Sequence, residues 1–293
     1  MIFLIGSIIL SSWLTLSFKL VERFGINTFQ SIVFNYITCV VTGSVVNGAF
    51  PISSSTVHES WFGWSLIMGF TFVSLFNVIG FTAQKMGVSV ASVANKLSLV
   101  IPFIFSIYLY NEQSTILKII GIAVALAAVA LTCWPSANAT EPSGKKAEAI
   151  YFLLPVVLFI GSGLLDTMIK YVETSFLNEN NKNAYLITAF AVAALIGLMV
   201  MLFLLISGKM KFDKRSIVAG ILIGVPNYFS IWCLVRVLSD YKGNSSAIIP
   251  INNMGIVLFS TVVAWIMFKE KLSTLNWLGI LLSVAAIALI AFG

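Results

Sequence analysis

The sequence predicts an all-α integral membrane protein of ten transmembrane helices, arranged as two inverted five-helix repeats. Three observations lead to this fold class. Hydrophobic residues make up 59% of the 293 positions and charged residues only 10%, whereas an ordinary soluble domain has about 25% charged residues. The apolar residues fall into long runs, unlike the short alternating segments of a β-barrel. Two short patterns from the first half of the chain also return in the second half.

Ten apolar runs are long enough for a helix of about 20 residues, the length that crosses the hydrocarbon core of a bilayer. Backbone groups in lipid must be satisfied within their own segment, which favours helices over open strands. Short loops rich in Gly, Pro, Ser and Asn separate the runs. We predict helices over residues 2–20, 28–47, 61–84, 88–110, 115–134, 150–171, 184–206, 216–238, 246–268 and 273–292.

The returning patterns indicate an internal duplication. A Lys-x-Val-Glu tetrapeptide ends at Glu22 and again at Glu173, and a Glu-x4-Leu-x3-Gly pattern begins at Glu112 and again at Glu270. Because each unit has an odd number of spans, the two units are predicted to lie upside down relative to each other, as in alternating-access carriers. The predicted domains are a first repeat over 1–134, a polar linker over 135–149 and a second repeat over 150–293.

Basic residues are shared unequally between the two predicted membrane faces. Eleven of the 17 Lys and Arg residues fall on the face that holds the central linker, five fall on the other face, and Lys96 lies inside a span. The positive-inside rule therefore places the linker in the cytoplasm and both termini outside. The net charge of +6 suits an anionic membrane surface. We predict no nucleic-acid partner, because no basic stripe is interleaved with aromatic residues.

The ten-span frame and its Glu-x8-Gly motif resemble the drug/metabolite transporter superfamily, in particular EamA-type ten-span carriers. The motif reads NEQSTILKIIG at the start of the fifth span and KEKLSTLNWLG at the start of the tenth. The resemblance implies carriage of amino acids, metabolites or drugs through a cavity surrounded by spans one to four and six to nine. It also implies cytoplasmic termini, opposite to the charge count, so the orientation is open.

Polar side chains recur at helical spacing in the spans that a carrier would use to line its passage. Ser7, Ser11, Thr15 and Lys19 follow one face of the first span. A single Ser or Thr in a span more often joins two helices by a hydrogen bond, but the whole set favours a polar passage. The candidate substrate-binding residues are Ser11, Thr15, Asn35, Tyr36, Asn77, Asn95, Lys96, Asp166, Asn227, Trp232, Asn252 and Asn253.

Lys96 is the most informative of these candidates. It lies about eight residues inside the fourth predicted span, roughly 12 Å from the nearer end at 1.5 Å per residue. A lysine at the centre of a span costs about 2.5–3.5 kcal/mol on insertion scales. Snorkelling to the interface is the alternative, but the depth exceeds the comfortable reach of the Lys stem. We expect Lys96 to meet a carboxylate or other anionic group of the cargo.

Asp166 is the second charge within a span, and two readings of it are equally supported. Lys170 stands four residues further on and would form a structural ion pair with it. Alternatively Asp166 binds an amine or carries a proton, since burial favours its neutral form. Lys19, Glu22, Lys170 and Glu173 end the first and sixth spans, either as ion pairs that close gates or as solvated helix ends. Glu112 and Glu270 are expected to stabilise the N-termini of the helices that follow them.

These residues predict a secondary active transporter that moves a small polar metabolite, amino-acid-like or weakly acidic, by alternating access. Coupling to a proton or to a counter-substrate is open. No Gly-rich phosphate loop is present to bind ATP, and an intramembrane enzyme or a passive channel is the alternative. No cofactor or metal is expected, since the three cysteines are far apart and His58 is alone. The expected partners are the small-molecule substrate and the lipid bilayer, with a monomer or homodimer in the bacterial cytoplasmic membrane.

Overall fold

The computed structural model describes residues 2–110, 115–132, 145–178, 181–240 and 245–292, and in these residues it contains helices and no strand. The all-α prediction is confirmed for this part of the chain. A 3₁₀ helix covers Ser54–His58. The α-helices are α1 (Ile2–Arg23), α2 (Thr28–Asn47), α3 (Phe62–Met86), α4 (Val88–Leu97), α5 (Val100–Tyr110), α6 (Ile116–Thr132), α7 (Lys145–Phe176), α8 (Lys182–Ile206), α9 (Arg215–Asp240), α10 (Ser245–Phe268) and α11 (Thr274–Phe292).

Eight helical segments in the described residues are long and apolar enough to cross a membrane, counting α4 and the start of α5 as one segment. Helices α6 and α11 contain shorter apolar segments, over Ile116–Thr132 and Thr274–Ile290. The protein is therefore a multi-pass membrane protein. Ten complete crossings remain a prediction.

The fourth predicted span is not one helix, because it breaks at Ser98 and Leu99. Pro102 has no N–H to donate to the Ser98 carbonyl oxygen four residues earlier. The Ile101 N–H donates to that oxygen instead, at 2.9 Å. Pro102 then lies in the first turn of α5, where a missing N–H removes no intrahelical bond. The break therefore follows directly from the position of one proline.

Helix α7 begins earlier than the sequence pattern predicted. Its first residue is Lys145, so residues 145–149 of the predicted linker are helical. The segment KKAEA is polar, which suggested a loop, yet Lys, Ala and Glu are strong helix formers. Residues 135–144 of the linker, and Glu112, lie outside the described residues.

The chain packs as two compact units. Unit one comprises Met1–Lys19, Val78–Leu164 and Ser230–Gly293, and unit two comprises Leu20–Asn77 and Leu165–Phe229. Helices α1, α3, α7 and α9 contribute segments to both units. Each unit contains segments from both halves of the sequence. The two units are therefore packing units and do not coincide with the predicted repeats. The predicted repeats over 1–134 and 150–293 concern duplication and stay a prediction.

In unit one, α6 packs against α11 in antiparallel fashion. Gly121 near the start of α6 meets Ile290 near the end of α11, and Gly279 near the start of α11 meets Thr132 at the end of α6. A Cβ atom at Gly121 would lie 2.8 Å from the Ile290 side chain, so the close approach depends on glycine. Gly279 and Ile290 lie 158 positions after Gly121 and Thr132 respectively, so the two contacts are reciprocal.

In unit two, α2 and α8 show the same arrangement. Gly43 meets Ile187, and Gly197 meets Val33, which makes this pair antiparallel too. Gly197 lies 154 positions after Gly43, and Ile187 lies 154 positions after Val33. Reciprocal contacts of this kind are what a two-fold axis between equivalent elements produces.

Candidate functional site

A buried polar cluster of unit two lies where α2 meets α9. Asn35 is fully buried, and its Oδ1 accepts a hydrogen bond of 3.1 Å from Nδ2 of Asn227. Helix α9 comes this close because Gly224 has no side chain: a Cβ there would lie 2.6 Å from the Asn35 carbonyl oxygen. The Cys39 thiol donates to the Gly224 carbonyl oxygen at 3.4 Å.

The Asn35 amide keeps one hydrogen-bond donor available. Its Nδ2 atom has no partner in the part of the chain that the structure describes. Buried polar atoms in folded proteins nearly always have a partner, whether protein, water or ligand. This amide therefore has the chemistry to bind an acceptor oxygen.

Tyr36 belongs to the core of unit two and anchors α2 to α3. Its hydroxyl donates to the Phe72 carbonyl oxygen at 2.8 Å, and its ring centroid lies 5.5 Å from that of Phe76 and 6.1 Å from that of Phe190. Asn77, further along α3, donates through Nδ2 to the Val73 carbonyl oxygen of its own helix at 2.7 Å. Both side chains thus use a donor within the fold.

Lys96 and Asn95 occupy the last turn of α4, directly before the helix break, and both are half-buried. The carbonyl end of a helix favours a nearby cation, so the position stabilises the ammonium group. Helix α7 approaches the break at Gly163, where a Cβ would lie 2.8 Å from the Ser98 carbonyl oxygen. The Ser98 hydroxyl donates to the Asn95 carbonyl oxygen at 2.5 Å.

The polar face predicted for the first span meets α9 at Ser7, whose hydroxyl donates to the Ser230 carbonyl oxygen at 3.2 Å. The Ser12 hydroxyl, one residue after the predicted Ser11, donates to the Ile256 carbonyl oxygen at 3.4 Å. Thr15 is buried and Ser11 is half-buried. Interhelical packing of this kind was the alternative reading for single Ser and Thr residues.

Asn252 on α10 is a second buried amide with an unused hydrogen-bond acceptor. Its side chain is 3% exposed, and its Oδ1 has no partner within the described ranges. Asn253 beside it is half-buried. Trp232, predicted among the substrate-binding residues, is 37% exposed, and the Arg236 guanidinium lies 6.0 Å from the centroid of its ring.

Lys19 joins the last turn of α1 to the last turn of α3. Its Nζ donates to the Gln84 carbonyl oxygen at 2.8 Å, and Nε2 of Gln84 donates to the Phe18 carbonyl oxygen at 3.0 Å. The Gln84 carbonyl group lies in the last turn of α3, where carbonyl groups have no intrahelical partner, so the Lys19 ammonium satisfies it. Glu22 is exposed on α1.

The corresponding residues of α7 are arranged differently. Glu173 forms an ion pair with Lys182 at the start of α8, with 3.7 Å between Oε1 and Nζ. Both side chains are exposed, and such pairs contribute about 0–1 kcal/mol. Lys170 is half-buried and Asp166 is exposed. The gating roles of these residues and the role of Asp166 remain predictions.

Comparison with known proteins identifies a family that the second half of the chain resembles. Residues 149–292 match the EamA-like transporter family. The second half of the chain therefore resembles members of that family. This result confirms the resemblance drawn from the sequence motif.

Two alignments extend over nearly the whole EamA-like chain. A Haemophilus influenzae protein described as uncharacterized is 27% identical over 290 residues, which cover 97% of this chain and 95% of the relative. A solved crystal structure superimposes with a TM-score of 0.63 over 98% of this chain and 94% of the other, at 13% sequence identity. The fold is thus shared along both halves.

The candidate residues of this EamA-like chain divide between the two units. Direct contact joins Asn35 and Asn227 in unit two. Unit one holds Ser11, Thr15, Lys19, Asn95, Lys96, Trp232, Asn252 and Asn253. Unit two holds Glu22, Asn35, Tyr36, Asn77, Asp166, Lys170, Glu173 and Asn227.

Glu270 does something that the sequence did not predict. Its carboxylate accepts hydrogen bonds from the Val88 N–H at 2.6 Å and the Ser89 hydroxyl at 2.9 Å, and so it stabilises the start of α4. Gly87, with a φ of 102°, lets the carboxylate approach: a Cβ would lie 3.0 Å from it. Helix α4 has neither a side-chain cap nor an acidic residue in its first turn. The missing cap and the missing acidic residue at the start of α4 were the signal, available in the sequence, that an acidic residue from another part of the chain stabilises this helix.

A contact between two loops of unit two was also missed, and we call it the loop clasp. The Arg215 guanidinium donates to the carbonyl oxygens of Phe24 at 3.2 Å and Gly25 at 3.0 Å, and forms an ion pair of 2.9 Å with Asp213. Nε2 of Gln30 donates to the Lys211 carbonyl oxygen at 2.7 Å. The hydrogen bond from Arg215 holds the pKa of Asp213 below its ordinary value. The clasp ties the α1–α2 loop to the α8–α9 loop.

Proposed function

We propose that this protein is a secondary active transporter that moves a small polar metabolite across the cytoplasmic membrane by alternating access. The observation that carries the proposal is Lys96 at a break within an apolar span. Carriers bind their cargo where discontinuous helices expose helix ends and backbone groups to a passage. The family of residues 149–292 favours transport over catalysis.

The cargo is proposed to be amino-acid-like or weakly acidic. The Lys96 ammonium supplies the charge for a carboxylate or other anionic group. Oδ1 of Asn252, in the same unit as Lys96, offers an acceptor, and Nδ2 of Asn35, in unit two, offers a donor. Asp166 is proposed to bind an amine or to carry the coupling proton.

The proposed mechanism rests on two inverted five-helix repeats, over 1–134 and 150–293. The antiparallel, reciprocal pairing of α2 with α8 and of α6 with α11 supports this symmetry. Such repeats exchange conformations, so that a fixed site faces first one side and then the other. The proposal includes ten crossings, gate roles for Lys19, Glu22, Lys170 and Glu173, and a protein that works as a monomer or homodimer.

The test is transport by the full chain in proteoliposomes. A thermal-shift screen of amino acids and small weak acids first selects a cargo, and uptake of that compound is then measured with and without the same compound inside the vesicles. We expect saturable uptake that internal cargo accelerates. Lys96→Ala should lower uptake at least about tenfold, the effect of losing one charge-assisted hydrogen bond. Lys96→Arg should retain part of the activity.

Lys85→Ala is the matched control, because Lys85 is an exposed lysine at the end of α3 with its Nζ 5.8 Å from the Phe81 ring centroid. It should leave uptake unchanged. Wild-type rates in the Lys96→Ala variant would refute the role of Lys96. Flux that rises linearly with concentration would favour a channel, and product formation without movement would favour an enzyme.

A further inference from the structure

An open cleft lies beside the loop between α10 and α11 in unit one, and none of its lining residues is proposed to handle cargo. It encloses about 540 Å³. The indole rings of Trp265 and Trp277 meet edge to face within it, with centroids 6.3 Å apart. The full lining is Trp265, Lys269, Glu270, Lys271, Leu272 and Trp277.

The cleft carries an excess of positive charge. Lys269 and Lys271 are exposed. Glu270 between them is engaged by the backbone N–H of Val88 and the hydroxyl of Ser89, at the N-terminus of α4. The positive end of that helix balances the carboxylate. The two ammonium groups therefore remain to attract an anion.

An apolar stripe leads along the helices to the cleft. Leu258, Val262 and Trp265 follow one face of α10 at helical spacing, and all three are exposed. Leu278 and Leu281 are exposed on α11. In a membrane-spanning chain such a face meets acyl chains, and tryptophans mark the boundary between acyl chains and headgroups. A ligand that fits both features has an anionic head and apolar tails.

Lys269 occupies a position that rarely holds a lysine. It follows the last residue of α10 with a φ of 53°, in the left-handed region that glycine or asparagine normally fills after a helix. A residue held in strained backbone at a cleft is often there for function. Glycine would relieve the strain but has no side chain, whereas Lys269 provides a cation at the mouth of the cleft.

We propose that the cleft binds the headgroup of an anionic phospholipid. The phosphate lies between Lys269 and Lys271, the glycerol region lies against Trp265 and Trp277, and the acyl chains follow the apolar stripe. Lysine binds phosphate as a point charge. The site serves lipid and not cargo, so it does not depend on the proposed transport activity.

The experiment is native mass spectrometry of the purified full chain after incubation with equal amounts of phosphatidylglycerol and phosphatidylcholine. Wild type should retain phosphatidylglycerol preferentially. Each of the two lysines proposed to contact the bound phosphate contributes about a fivefold preference for anionic lipid. The double variant Lys269→Gln with Lys271→Gln should bring the two lipids close to parity. The matched control, Lys209→Gln with Lys211→Gln, removes the same charge from the exposed α8–α9 loop and should keep the preference.

Lys269→Gly separates binding from folding. Glycine relieves the left-handed backbone, so this variant should melt no lower than wild type in lipid-free detergent, while its preference for phosphatidylglycerol falls about fivefold. Equal retention of phosphatidylglycerol and phosphatidylcholine by wild type would overturn the proposal, as would an equal loss in the control variant. Displacement of the lipid by soluble glycerol 3-phosphate at similar concentration would show a site for free phosphate and would also overturn it.

Discussion

At the scale of single residues, the contact between Gly87 and Glu270 links two loops through one carboxylate. Gly87 has φ 102° and ψ 157°, a backbone region that is essentially restricted to glycine. A side chain there would also lie about 3 Å from the carboxylate oxygens. Backbone conformation and space therefore both require glycine at this position.

We predict that Gly87→Ala lowers stability by about 1–3 kcal/mol, the cost of forcing a non-glycine residue into this region. The measurement is the apparent melting temperature of the purified protein in detergent. Gly63→Ala is the control, because Gly63 lies in α3 with open space around its Cα. That change should leave the melting temperature equal or slightly higher. A Gly87→Ala protein as stable as the control would contradict the structure at this contact.

The loop clasp predicts a pH dependence. Because Arg215 hydrogen-bonds the Asp213 carboxylate, the pKa of Asp213 is lowered in the folded state. A lowered pKa stabilises the fold above the ordinary pKa of Asp, and this contribution is lost as the pH falls below about 4. We expect the melting-temperature difference between wild type and Asp213→Asn to be largest near pH 7 and to shrink in acid. A difference that stays constant down to pH 3 would contradict the clasp.

Residue types were easier to predict than their partners. Lys96 was recognised as a candidate from the sequence alone. An ionisable residue inside an apolar run costs free energy on insertion into the membrane, so its presence there calls for an explanation. The partner of Lys19 was not visible: its ammonium binds the backbone of Gln84, and a backbone oxygen has no sequence signature. Glu270 likewise stabilises a helix 181 to 182 positions away. Long-range pairing of this kind depends on packing.

At the scale of elements, the break between α4 and α5 has a simple cause and a testable effect. Pro102→Ala restores an N–H four residues after the Ser98 carbonyl group, which favours one continuous helix. We predict that this variant is at least as stable as wild type in a thermal melt but transports more slowly, because Lys96 loses its place at a helix end. Normal transport with Pro102→Ala would show that the break is not needed.

Helix boundaries were predicted well where a capping residue or the end of an apolar run defines them. They were predicted poorly where a charged segment was interpreted as a loop. Helix α2 was predicted at its observed bounds, and Asn27 caps it by accepting the Gln30 N–H. Helix α7 extends to Lys145 because Lys, Ala and Glu favour helix as well as solvent. Hydropathy alone does not separate a polar helix start from a linker.

At the scale of the whole molecule, composition and periodicity were sufficient for the all-α membrane class. Composition and periodicity gave no information about which helices pack against each other. Helices α6 and α11 pack against each other within unit one, and the sequence pattern contained the spacing of 158 but no sign of this contact. The candidate site was predicted as a set of polar residues. Their actual surroundings depend on glycine contacts such as that of Gly224 with α2, which hydropathy does not register.

The paired glycines have a consequence for how the molecule moves. Gly43 and Gly197 fix α2 to α8 at two points about 15 Å apart, ten residues along the helix at 1.5 Å each, and Gly121 and Gly279 do the same for α6 and α11. Two points of attachment prevent one helix from sliding or turning on the other. Each pair is therefore expected to move as one rigid element within its unit.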